Sequence, residues 1–251
     1  MPGAISSGAS PIVGARAAAF NPDSLPGLAF WAAARLETAY AGGGAVSTFT
    51  DRSGEGNNLT SAAGGNEPTF QTAAIGTQPV LRFDGTDDYL RNTAPGSMTD
   101  WTQSDHAIIA VIRPTSVTEE DILDSSGAGA GHSLLMVIST GRGHSWRGAA
   151  DANAINTSTT LLANTNYILG YWCSATQNAI YLNGAREAGP TNLTGTAGAG
   201  TDQIFLGNRS GVYAGGWYSG DIAEILIYTT APSDGQMLQL SAWLNSIYGI
   251  Y

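Results

Sequence analysis

Phe49-Thr-Asp51-Arg-Ser53-Gly54-Glu-Gly56-Asn57-Asn58-Leu59, then Pro68-Thr-Phe70, then Pro79-Val-Leu-Arg-Phe83-Asp84-Gly85-Thr-Asp87-Asp88-Tyr89-Leu90 is the stretch that decides the fold. Short apolar runs alternate with turns built from Asp, Asn and Gly. These residues reach left-handed backbone angles or bond their own backbone in Asx-turns. The pattern is that of strand ends joined by tight turns. The same oxygen-rich turns hold two candidate sites for Ca²⁺, a hard cation that takes six to eight oxygen ligands. Asp51, Ser53, Asn57 and Asn58 form one group, and Asp84, Asp87 and Asp88 the other. Asx-turn bonding is the preferred reading of both, with no cofactor required and Ca²⁺ as the alternative.

Working outward, the rest of the chain repeats the pattern. Leu28-Ala-Phe30-Trp31 reads as a strand, and Ala107-Ile-Ile-Ala-Val-Ile112 is continuously apolar, as in a strand covered on both faces. Leu134–Ile138 and Ser145–Arg147 flank Ser139–Gly143, a hairpin with a five-residue loop. Tyr167–Trp172, Ala179–Leu182, Gln203–Leu206 and Ile222–Tyr228 are further strands, and Asn183-Gly184 is a hairpin turn signal. A single helix is expected over 233–248. Ser233 and Gln236 make a capping box, Met237, Leu240, Leu244 and Ile247 share a face, and Gly249 ends it. Residues 1–26 are rich in Ala, Gly, Ser and Pro without periodicity and read as an extended arm. Residues 27–251 read as one two-sheet antiparallel β-sandwich, so the fold class is all-β.

Composition narrows the function classes. The 251 residues include ten basic side chains, all Arg, against 20 acids, for a net charge of −10. So few cations cannot neutralise many phosphates, which points away from nucleic acid and anionic membranes. Cys173 is the single cysteine, so no intrachain disulfide or cysteine metal cluster can form, and its apolar surroundings predict a buried thiol. The first residues carry no basic-then-apolar leader pattern, and no apolar run is long enough to span a bilayer.

In order along the chain stand Trp31, Asp51-x-Ser53-Gly54-x-Gly56-Asn57, Pro68-x-Phe70, Phe83-Asp84-Gly85-x-Asp87-Asp88-x-Leu90 and Gly220-Asp-Ile222-Ala-Glu224-Ile-Leu-Ile-Tyr228. This series resembles the concanavalin A-like lectin/glucanase superfamily in its laminin-G-like version, over roughly residues 26–251. The resemblance implies a jelly-roll sandwich used for binding or assembly, of a kind common in bacteriophage virions and bacterial surface proteins. It implies a non-enzymatic virion protein, made in the host cytoplasm and placed on the capsid surface as a decoration (cement) protein. Its partners would be the major capsid protein and its own copies, as a homotrimer, with the arm residues Pro11, Ile12, Val13 and Phe20 in assembly. The alternative is a receptor-binding module of a fibre that takes a host surface glycan. A polysaccharide-acting glycosidase ranks below both.

No catalytic residues are nominated. The paired carboxylates of the family's glucanases, spaced Glu-x-Asp-x-Glu or Glu-x-Asp-x-x-Glu, do not occur. Asp221 and Glu224 lie an odd number of positions apart, which on a regular strand turns them to opposite faces. His106, His132 and His144 are isolated, without a metal or hydrolase motif. The remaining signal is aromatic: Tyr213, Trp217 and Tyr218 in the 211–220 loop can stack on sugars if exposed. Packing of Trp217 and Tyr218 into the sandwich edge is the preferred alternative.

Overall fold

The strand His106–Pro114 shows why its sequence is apolar at nearly every position. Ile108, Ala110 and Ile112 enter the core between two sheets, while Ala107, Ile109 and Val111 face a helix on the other side. Both pleat faces are dry, so the usual polar alternation is absent. In the computed structural model the described residues are 20–62, 64–98, 104–125, 132–133, 135–137, 140–145, 147–148, 153–194, 203–208 and 216–251.

The helix-bearing sheet runs, in spatial order, Ala185–Asn192, Gln177–Leu182, Tyr167–Cys173, His106–Pro114, Ser219–Tyr228, Gln78–Asp84 and Thr69–Ile75. Ser219–Tyr228 is shared along its length: Ser219–Ile222 pair with Gln78–Asp84, and Glu224–Tyr228 pair with Leu28–Ala33. The helix-free sheet runs Ile155–Thr160, Arg142–Ser145, Leu135–Val137, Glu120–Asp124, Ile204–Leu206, Leu90–Asn92, Leu59–Thr60 and Thr48–Phe49. Neighbouring strands are antiparallel throughout both sheets. The expected all-β jelly-roll sandwich with one C-terminal helix is therefore the observed architecture. At one edge Glu187 ties the sheets together, accepting from the amides of Ser158 and Thr159, each at 3.0 Å.

The helix spans Asp234–Tyr248 and is capped as expected. Gln236 N donates to Ser233 Oγ at 3.3 Å, and Ser233 N donates to Gln236 Oε1 at 2.7 Å. Met237, Leu240, Leu244 and Tyr248 are buried against the sheet and Ile247 packs at their margin. The Asn183-Gly184 turn is a two-residue hairpin with φ of 47° and 78°, closing Gln177–Leu182 onto Ala185–Asn192. Cys173 is a buried thiol that donates to the Ser174 carbonyl at 3.4 Å.

Two expectations shift. The strand after the expected Ser139–Gly143 loop begins at Arg142, with Gly143 already paired to Val137, so the connection is shorter. A side chain would have no room at Gly143, where a Cβ would come within 2.7 Å of Leu169 and 3.1 Å of Thr157. Within the arm, Phe20 meets Trp243 edge-on at 6.2 Å, Leu25 is buried, and Tyr228 Oη donates to the Pro22 carbonyl at 3.2 Å. Phe20 thus packs within its own chain. Its isolated apolar neighbours follow no strand or helix period, so periodicity alone could not reveal the contact. Pro11, Ile12 and Val13 lie outside the described residues.

Candidate functional site

Asp51 is the hub of the first turn. Its Oδ1 accepts from the amides of Trp31 and Ser53, at 3.0 and 2.9 Å. Its Oδ2 accepts from Ser53 Oγ and Asn57 N, both at 2.8 Å. Asn58 Oδ1 in turn accepts from Asp51 N at 2.8 Å, and buried Asn57 donates to the Ala29 carbonyl at 2.7 Å. The carboxylate's lone-pair directions are filled by protein donors that stitch this turn to the strand Leu28–Ala33.

The second turn is different. One oxygen from each of Asp84, Asp87 and Asp88 lies within 4.8 Å of the others. Asp84 Oδ1 accepts from Thr86 N at 2.7 Å, and Asp88 Oδ2 accepts from Asp84 N at 2.9 Å. Gly85 holds φ at 77°, where a Cβ would come within 2.8 Å of Ser219. Burial pushes the Asp88 carboxyl up to about 6, and the negative charges of Asp84, Asp87 and Glu67 add to the rise. The cluster's hard oxygens and negative charge suit a divalent cation or a set of sugar hydroxyls.

Aromatic rings stand beside this turn. Ser219 pairs with Asp84, so the chain from Trp217 runs on past the turn. Trp217 and Tyr89, both half-buried, meet with ring centroids 5.9 Å apart at 52°. Tyr218 packs as the preferred reading had it and so drops out of the candidate glycan-binding trio: it is fully buried, edge-on to Phe83 at 6.0 Å, and donates to the Asp221 carbonyl. The closing strand begins only at Ser219, and just ahead of it Tyr218 enters the core while Trp217 stays half-buried against Tyr89. Tyr213 lies outside the described residues.

The closing strand carries a second correction. Asp221 pairs with Arg113 and Glu224 with Val111, and a bulge between Ile222 and Glu224 resets the alternation. Both carboxylates therefore share the helix-bearing face, against the parity expected of a regular strand. Each is fully occupied. Glu224 accepts from Trp31 Nε1 at 2.7 Å, Tyr248 Oη at 2.8 Å and Arg35 at 2.9 and 3.0 Å. Asp221 binds Arg82 at 2.7 and 3.1 Å and Arg113 through Nη2. Neither cluster was legible beforehand, because its members are brought together from distant parts of the chain.

A cleft of about 280 Å³ opens on the helix-free sheet between Leu59–Thr60 and Leu90–Asn92, lined by Asn58, Thr60, Ser61, Ala62, Arg91, Asn92 and Thr93. Leu90 enters the core, so by alternation its neighbours Tyr89 and Arg91 both project outward from this sheet. The Tyr89–Trp217 pair and the Arg91 cleft therefore belong to one face. Sequence reasoning passed over Arg91, although the triplet Tyr89-Leu90-Arg91 carried the signal.

Residues 84–237 match a family model described as concanavalin A-like lectin/glucanases superfamily. No curated protein matches the sequence. Among solved structures, a Trypanosoma rangeli sialidase in complex with sialic acid is 14% identical with a TM-score of 0.62, covering 88% of this chain and 33% of its own. The chain thus spans about a third of that enzyme. The binding domain of Paraclostridial Mosquitocidal Protein 1 is 15% identical with a TM-score of 0.63, over 88% of this chain and 52% of its own. The CBM40 of a Ruminococcus gnavus IT-sialidase, bound to α2,3-sialyllactose, is 15% identical with a TM-score of 0.54, over 64% and 95%. At such identities these likenesses speak to the fold alone.

Proposed function

Because the chain belongs to the concanavalin A-like lectin/glucanases superfamily, we propose that it is a non-catalytic carbohydrate-binding module whose contact surface is the outer face of the helix-free sheet and its rim. The observation that carries this reading is the half-buried Trp217–Tyr89 pair beside the Asp84–Asp88 turn. Sugar rings present apolar C–H faces to aromatic surfaces and hydroxyls to carboxylates, and the rim offers both within one turn. The likeness to a module bound to sialyllactose and to the binding domain of a mosquitocidal protein supports binding as the use of the fold.

A glycan array tests the reading. The intact protein is expected to retain a defined set of glycans, and Trp217→Ala to lose about 1–2 kcal/mol of that binding while remaining folded. Retention of no glycan, with or without Ca²⁺, rejects it. Binding abolished by chelator would assign Asp84, Asp87 and Asp88 to a bridging Ca²⁺; binding indifferent to chelator would assign them to direct hydroxyl contacts.

A finer reading places the module on a bacteriophage virion as a capsid decoration protein, bound to the major capsid protein and to its own copies as a trimer. One observation favours an attached, outward-facing module. The chain enters through Phe20–Leu25 on the helix-bearing face, opposite the face that carries Tyr89 and Arg91. Attachment through residues 1–19 would leave the binding face turned outward. Removing residues 1–19 while keeping Phe20 should preserve thermal stability and glycan retention but abolish particle binding in co-sedimentation. Undiminished co-sedimentation rejects the arm's role.

A further inference from the structure

From the donor chemistry of the Arg91 cleft, we infer that it binds the carboxylate of an acidic sugar, a uronic or nonulosonic acid. The inference rests on the reading of this face as a glycan-binding surface and names the class of glycan it selects.

Among the described side chains, Arg91 differs from the other cations. Arg35, Arg52, Arg82, Arg113 and Arg186 each lie within ion-pair distance of a carboxylate, and Arg142 donates to the Thr157 carbonyl. Among the described residues, no side-chain partner holds the Arg91 guanidinium. In a chain with twice as many acids as bases, a half-buried arginine without a carboxylate is a position where the acceptor is to come from elsewhere.

The cleft's amides point the same way. Asn58 Oδ1 is engaged by Asp51 N at 2.8 Å, and Asn92 Oδ1 by Ala94 N at 3.0 Å. Those bonds fix both amide orientations and leave their NH₂ groups as donors. The lining thus offers a guanidinium, two amide NH₂ groups and the Thr93 hydroxyl, with no carboxylate among its residues, while Thr60 Oγ1 donates to the Arg91 carbonyl at 3.4 Å. Such a donor-rich wall suits an acceptor-rich anion. A planar carboxylate matches the guanidinium fork in a bidentate pair, and the polar wall bonds the hydroxyls of the same sugar. A phosphate dianion would meet only one compensating charge. At about 280 Å³ the cleft sits at the lower edge of the roughly 300–1,000 Å³ usual for small-ligand sites, which suits a small unit such as a single sugar.

The test compares carboxylated glycans with their neutral counterparts on the intact protein: 3′-sialyllactose against lactose, and digalacturonic acid against galactobiose, by calorimetry and on an acidic-glycan array. The carboxylated member of at least one pair is expected to bind more tightly. Arg91→Gln should abolish that preference through a roughly ten- to hundredfold loss, the range for a charge-assisted bond. Arg91→Lys should fall between, because it keeps the charge and loses the fork. Arg186→Gln, which alters a charge beside the helix, should change nothing. Neutral glycans bound without any preference for carboxylated partners overturn the inference and leave the glycan-binding reading standing. A preference that survives Arg91→Gln in a folded protein also overturns it. Retention of no glycan overturns both.

Discussion

The two outer faces of the sandwich handle charge in opposite ways. On the helix-bearing face, Glu224 and Asp221 are fully buried and every oxygen is taken, by Arg35, Trp31 and Tyr248 in one cluster and by Arg82 and Arg113 in the other. On the helix-free face, Arg91 lines a cleft with no acid on its wall. Buried charges that complete one another specify packing, since each would be costly to leave alone. A cation left without its counterion does nothing for packing, and its use lies outside the chain. The family's glucanase logic directs attention to the carboxylates of the closing strand, yet Glu224 ties the helix to the sheet through Tyr248 and Asp221 ties neighbouring strands together through Arg82 and Arg113.

The largest expected effect comes from breaking the completed side. Glu224→Ala strands the Arg35 guanidinium, the Trp31 N–H and the Tyr248 hydroxyl together at the helix–sheet interface. It should cost about 3–5 kcal/mol, read as a large fall in the denaturant midpoint. That is a major share of a typical domain stability of about 5–15 kcal/mol. A loss below about 1 kcal/mol would mean that the cluster is dispensable, and the contrast between the faces would fail. Tyr248 should stay protonated at any working pH, because burial and then the Glu224 charge hold its hydroxyl well above the ordinary value.

Next in size is the Asp88 turn, where the sign follows from the direction of the shift. Its carboxyl is raised from 3.8 to about 6 in the fold. The folded state therefore binds that proton more tightly than the unfolded chain does. The contribution is fully present below about pH 4 and is lost as pH rises through about 6. Asp88→Asn keeps an acceptor for Asp84 N and removes the titration. Its stability should match the wild type near pH 4 and exceed it by up to about 3 kcal/mol above pH 7. Thermal melts across that range decide it. Parallel pH profiles for the two proteins would show that the turn holds no excess negative charge. Smaller again, Ser233→Ala removes the cap donor's partner at Gln236 N and should cost about 1 kcal/mol.

What could be read beforehand follows the range of the interactions. Local grammar was legible: the Ser233–Gln236 capping box, the Asn183-Gly184 hairpin and the doubly buried run Ala107–Ile112 are each encoded within a few residues. The sandwich followed from them. The bulge between Ile222 and Glu224 was not, because nothing in that apolar run marks a change of phase, and the parity argument for Asp221 and Glu224 failed on it. Tyr218 and Trp217 illustrate the same limit. Adjacent aromatics in a loop carry equal signal, and only the register of Ser219 on Asp84 decides which one is buried. The Arg91 cleft depends on strands about 30 residues apart meeting at Thr60 and Arg91. Half its signal, the outward parity of Tyr89 and Arg91 around Leu90, was present in three consecutive residues.

The smallest expected effect is the sharpest test of the contrast. Arg91→Gln removes a charge from a protein already at −10 and breaks no ion pair. Its aliphatic stem covers part of the cleft wall, and glutamine retains most of that carbon. The stability change should therefore stay within about 0.5 kcal/mol, as for a surface substitution away from any packing feature. A loss above about 1 kcal/mol would place the guanidinium among the structural cations with Arg35 and Arg82, and the asymmetry between the faces would dissolve. Near-zero change in melting together with lost preference for carboxylated glycans would separate stability from recognition at one side chain, since a group that packing does not need is spent on the ligand.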